Sequence, residues 1–151
     1  MTTKYSALDI ANYFLYKAQK ATEEDQELIS NLKLQKLVYY AQGLHIAMYG
    51  KRLFSDKIEA WTYGPVVPDL YHHYKDNGSE GISADVKFKP SSIDEKTRMF
   101  LDEIYEVFGQ FSAVRLMKFT HSDQCWIDAG IGNEITCEAM GNDLKKYLKD
   151  G

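Results

Sequence analysis

From Asn31 onward the apolar residues Leu34, Leu37, Val38, Ala41, Leu44 and Met48 fall at the offsets of one helical face, and the pattern stops at Gly50. The spacing predicts a core helix with Lys33, Lys36, Gln42 and His45 on its polar side and Tyr39 and Tyr40 flanking the stripe. Ile58 to Thr62 reads as a short strand, and Gly64-Pro65 marks a turn within Tyr63-Gly64-Pro65-Val66-Val67-Pro68. Proline fixes φ and has no N–H, so no central strand is expected there. Pro68 and Asp69 suit a helix's first turn, where a missing N–H costs nothing and a carboxylate meets the positive end of the dipole. A helix from Asp69 to Lys75 follows, closed by Asn77-Gly78.

The flanking segments repeat the helical period. Ser6-x-x-Asp9 approximates a capping box and opens a helix with Ala7, Ile10, Ala11, Phe14 and Ala18 on one face. Thr22 to Glu27 is an acidic link expected to be exposed. Val86 to Lys89 alternates apolar with basic residues before Pro90, as an extended arm or minor strand would. Ser92-x-x-Glu95 has capping-box spacing ahead of an amphipathic helix bearing Phe100, Leu101, Ile104, Tyr105 and Phe108. Ser112 is placed to cap a shorter helix with Leu116, Met117 and Phe119, Gly130 to Asn133 is flexible punctuation, and Thr136 is placed to cap the last helix, with Met140, Leu144, Tyr147 and Leu148 on its buried side. The expected fold is mainly α: a single compact domain over residues 1–151, with about six helices and a small β element near residues 53–62.

The central stretch carries a resemblance. LKLQKLVYYAQGLHIAMYGKRLF followed by IEAWTYGPVVPDLYHHYKDNG resembles the signature of the Panacea, or SocA-like antitoxin, domain, found in toxin–antitoxin pairs and phage-associated proteins. Within it Leu34, Gln35, Leu37, Gln42, Trp61 and Gly64 form the structural signature, and Thr120-His121 with Trp126 resembles the family's later histidine and tryptophan pair. The likeness runs from about Ser6 to Leu148; it departs at Cys125, which precedes Trp126 where proline is common in the family. The resemblance implies an antitoxin that neutralises a cognate protein toxin by direct binding, or, alternatively, an adaptor that delivers the toxin to a cytosolic protease.

Composition narrows the rest. Apolar residues at 44% and charged residues at 26% describe an ordinary soluble globule, and the net charge of −4 gives no global attraction to nucleic acid or anionic lipid. Cys125 and Cys137 are the only cysteines, which indicates no disulfide framework and a reducing cytoplasm as the expected location. No signal peptide or bilayer-length apolar run is read.

Enzymatic signals are sparse. No HExxH, nucleophile elbow, P-loop or dinucleotide fingerprint occurs. His121-x-Asp123-x-Cys125 is the nearest approach to a constellation; it suggests either a metal-ligand pair or a Cys/His nucleophile, against the plainer reading of His121 hydrogen-bonding a helix end and Cys125 packing inside. His72 and His73 project about 100° apart on a helix and do not share a ligand geometry easily. No catalytic residue, metal or cofactor is therefore assigned, and direct nucleic-acid binding is not expected. What remains is aromatic excess: Tyr39, Tyr40, Tyr63, Tyr71 and Tyr74, with Pro65, Val66 and Pro68 of the rigid turn, are the candidate partner-binding residues, whereas Trp61 is read as core.

Overall fold

The computed structural model describes residues 3–21 and 28–148, so the acidic link from Thr22 to Glu27 lies outside the described residues. Seven α-helices are formed among them: α1 (Ala7–Ala21), α2 (Asn31–Tyr49), α3 (Pro68–Tyr74), α4 (Glu95–Phe108), α5 (Ala113–His121), α6 (Gln124–Ala129) and α7 (Cys137–Leu144). The expected mainly helical single domain is what is found, and the additional helix, α6, begins immediately after Asp123.

Local signals account for most helix ends. The Ser6 backbone N–H donates to Asp9 Oδ2 at 2.9 Å while the Asp9 N–H donates to Ser6 Oγ at 3.2 Å, a reciprocal capping box for α1. Ser30, Ser112 and Thr136 cap α2, α5 and α7 through their hydroxyls. Gly50 ends α2 in the left-handed region at φ 70°. The start of α4 corrects the expectation at Ser92: Pro90–Ser92 is a 3₁₀ turn, and Asp94 is the cap, accepting from the Thr97 N–H.

Helix α2 is the axis of the fold, packed against α1, α3, α4, α5, α7 and the hairpin. Enclosure on nearly every side overturns the expected polar side. Lys36 and Gln42 are buried, as are Tyr39 and Tyr40, whereas Met48, placed on the apolar stripe, is 44% exposed and lines an open depression beside α4.

The β element is a hairpin of β1 (Glu59–Trp61), within the expected 53–62, and β2 (Gly64–Val66), which lies just beyond it. The reversal is made by Thr62 and Tyr63, and Gly64-Pro65 is strand rather than turn. Proline is tolerated here because of register. Ala60, opposite Pro65, directs its N–H to Asn133 O at 2.9 Å and accepts from the Gly132 N–H at 2.6 Å. The Ala60–Pro65 pair is therefore a non-hydrogen-bonded one, and the ladder loses nothing from the missing N–H. Val86 to Lys89 forms no strand; the neighbouring extended contact is a single bridge between Ile29 and Ile82. No described helix is long and apolar enough to cross a membrane.

Candidate functional site

Three polar side chains on one face of α2 hold the hairpin and the start of α3. Gln35 accepts the Val67 N–H at 2.9 Å and donates to Asn31 Oδ1 at 2.9 Å; Asn31 in turn donates to Tyr71 O at 3.3 Å. Lys36 Nζ donates to Pro65 O at 3.1 Å, and burial lowers its pKa to about 7. Val67 has no capping side chain, but Pro68 occupies the first turn of α3, as its sequence suggested. About two turns further along α2 than Gln35, Gln42 donates to Phe54 O at 2.7 Å and accepts from the Leu53 and Phe54 N–H groups, which fastens the loop that leads to the hairpin. The two signature glutamines thus satisfy buried backbone groups that no regular secondary structure reaches.

The hairpin, α3 and the start of α2 enclose a groove of about 850 Å³. Trp61, Tyr63, Val66 and Tyr71 line it together with Asn31, Leu32 and Gln35, and Lys75 is its one charged residue. Strand alternation explains the placement of Trp61: Ala60 turns into the core, so Glu59 and Trp61 face the other way. Trp61 is consequently half-buried instead of core, with its ring 5.0 Å from that of Tyr71 and its Nε1 donating to Glu59 Oε1 at 2.9 Å. Tyr63, at the hairpin tip, is 65% exposed.

The other candidates separate by burial. Tyr39 and Tyr40 are completely enclosed, which removes them from any contact surface of the folded chain. Pro65 and Tyr74 are also buried, Tyr74 at 9% exposure, and Pro68 is half-buried outside the groove. Val66 is only 5% exposed yet lines the groove wall. Leu34 and Leu37 are core. Gly64 adopts φ +107°, with Thr120 Oγ1 and Lys36 Cε so close that an added Cβ would lie 2.6 and 2.8 Å from them.

The His121, Asp123 and Cys125 constellation does not assemble as a reactive set. His121 stacks on Trp126, centroids 4.5 Å apart, and its Nε2 lies 3.0 Å from Thr62 O; Trp126 Nε1 donates to Trp61 O at 3.0 Å. Both rings thereby buttress the end of β1. Asp123 is fully buried and accepts from the hydroxyls of Tyr39, Tyr40 and Tyr147 at 2.8–2.9 Å, with Lys146 Nζ at 2.9 Å. Burial, reinforced by this carboxylate, holds the Tyr39 and Tyr40 hydroxyls protonated well above their ordinary range. Cys125 packs beside this network with Sγ 3.1 Å from Tyr39 Oη, and burial pushes its thiol up to about 12. No group of three or more His, Cys, Asp or Glu side chains able to hold a metal occurs among the described residues.

Sequence reading missed the far wall of the groove. Ile131 and Gly132, read only as punctuation, reach it because residues 132–135 run along the outer edge of β1 through the Ala60 and Ile58 backbone bonds. Ile131 is 60% exposed; an apolar residue between two glycines was the available signal.

Residues 34–127 match the family model described as antitoxin SocA-like, Panacea domain. The chain is 31% identical over 104 residues to antitoxin SocA of Caulobacter vibrioides (strain NA1000 / CB15N), an alignment covering 62% of this chain and 55% of the relative. The chain thus spans about half the length of the curated relative it matches. No solved structure matches it.

Proposed function

The chain belongs to the SocA-like antitoxin family, Panacea domain, and from that premise we propose that it neutralises a cognate protein toxin by binding it in the hairpin groove. One observation carries the choice of surface. Trp61, Tyr63, Val66 and Tyr71 converge on a groove whose frame is already fixed by Gln35, Lys36 and Asn31, so ordering it on binding costs little. Aromatic anchors in such a pocket are the residues that concentrate interface energy. A nanomolar complex requires about −12 kcal/mol, within reach of an ordinary interface of roughly 1,600 Å². The family assignment and the protonated, enclosed Cys125 thiol both support a role in which binding, not covalent chemistry, accomplishes the effect.

The test is co-expression of each small neighbouring gene with and without this one, scored by growth and by co-purification. A neighbour that is toxic alone, harmless with this chain and retained at a fixed ratio is the expected result. Tyr63→Ala, Val66→Asp and Tyr71→Ala should each weaken retention in a folded protein, and full neutralisation by all three would refute this surface. Protection should saturate near one equivalent of toxin. A fall in toxin half-life without a lasting complex would transfer the assignment to proteolytic delivery.

A further inference from the structure

A second depression, of about 570 Å³, lies at the far end of α2, where the chain leaving Gly50 meets the segment before α1 and the first turn of α4. Lys4, Lys51, Arg52 and Lys96 line it, and Asp94 is the one carboxylate among its lining residues. That carboxylate is already committed: it caps α4 through the Thr97 N–H at 2.8 Å, accepts from Tyr5 Oη at 2.6 Å, and meets Lys4 Nζ at 3.5 Å. With Lys4 paired to that carboxylate, Lys51 and Lys96 leave the site basic on a chain whose net charge is −4, and Arg52 lines it as well.

The same depression has an aromatic floor. His45 lies 4.9 Å from the Tyr49 ring and 5.2 Å from that of Phe100, and Lys96 Nζ stands 5.6 Å from the Tyr49 centroid. His45 Nδ1 is 2.6 Å from Lys51 O; since a carbonyl can only accept, Nδ1 carries the proton and Nε2 of the neutral ring is an acceptor. Burial, with Lys51 and Lys96 adding to it, favours that neutral form. Cations suited to phosphate oxygens therefore border a ring surface suited to stacking and a nitrogen suited to an amino or imide N–H. The volume lies in the range of small-molecule sites, about 300–1,000 Å³.

We infer that this depression binds a nucleoside phosphate, with the base against Tyr49, Phe100 and His45 and the phosphates among Lys4, Lys51, Arg52 and Lys96. The ligand chemistry is common to a free nucleotide and to one nucleotide of a single strand, and the site is separate from the toxin groove.

The full chain would be titrated with ATP, adenosine, tripolyphosphate and a single-stranded oligothymidylate, by calorimetry and by NMR of the aromatic side chains. ATP is expected to move the ring signals of His45, Tyr49 and Phe100 and to bind at least about tenfold more tightly than either adenosine or tripolyphosphate, with affinity falling as salt rises. Lys51→Glu combined with Lys96→Glu should reduce ATP affinity about tenfold or more, while Lys118→Glu with Lys145→Glu, an equal change of charge elsewhere, leaves it unaltered. Tighter binding of the oligonucleotide than of ATP identifies a strand as the source, and the reverse identifies a free nucleotide; either upholds the site. Absence of ring shifts with both ligands, tripolyphosphate as tight as ATP, or equal effects of the two double variants would overturn it.

Discussion

Replacing Lys36 by methionine should make the protein more stable at neutral pH, although it deletes a hydrogen bond. The Lys36 ammonium is enclosed with one acceptor, Pro65 O, and burial lowers its pKa from 10.5 to about 7. Between those two values the unfolded chain holds a proton that the folded chain releases, so the Lys36 contribution to stability rises with pH across this window. The burden is absent above about pH 10.5, grows as the pH falls, and is complete below about pH 7. At about 1.4 kcal/mol per pH unit it reaches the order of 5 kcal/mol. Methionine fills a similar volume without a charge; loss of the bond to Pro65 O and the carbonyl left behind return about 1–3 kcal/mol. A net gain of roughly 2–4 kcal/mol at pH 7 is expected. Urea unfolding of both proteins between about pH 7 and 9.5 measures it as the difference between the two curves, from which the cysteine and tyrosine titrations common to both cancel. Wild type should gain about 1.4 kcal/mol per pH unit on the variant as the two curves converge. Parallel curves, or a variant less stable throughout, would refute the reasoning.

Three further outcomes follow from the same contacts. Asp123→Ala removes the acceptor of three tyrosine hydroxyls and the anion facing Lys146; a loss of about 3–5 kcal/mol in urea unfolding is expected, and a loss under about 1 kcal/mol would show that the network contributes little. Gly64→Ala combines φ +107° with a Cβ 2.6 Å from Thr120 Oγ1, so thermal unfolding should register roughly 2–4 kcal/mol of destabilisation, against a near-neutral change if the hairpin simply shifts. Gln42→Ala strands the Leu53 and Phe54 amides; hydrogen exchange there should accelerate far more than in the centre of α2, and uniform acceleration would contradict a local role.

Helix-forming segments and most of their caps were legible because both are short-range. Ser6 with Asp9, Gly50, Ser112 and Thr136 act on backbone within a turn of themselves, and the structure has each where its spacing placed it. The cap of α4 was misplaced because two acceptors two residues apart, Ser92 and Asp94, compete, and the 3₁₀ turn at Pro90–Ser92 decides between them. Half of the groove was legible as well: Tyr63, Val66 and Tyr71 lie within one continuous stretch beside a proline-stiffened strand. Ile131 and Gly132 were not, since only the pairing of residues 132–135 with β1 brings them there.

By itself the sequence determined the family, the helical class and the hydrophobic stripes of α1 and α4, because periodicity and capping are properties of a helix and its own residues. Tertiary structure alone decided which of those faces meets water. A stripe is defined relative to its own helix, and α2 is enclosed by five others and a hairpin. Its polar side chains therefore find partners far along the chain: Gln35 at Val67, Lys36 at Pro65, Tyr39 and Tyr40 at Asp123. The tyrosines expected at the surface are inside because a buried carboxylate more than eighty residues away accepts their hydroxyls, an arrangement that no local pattern encodes.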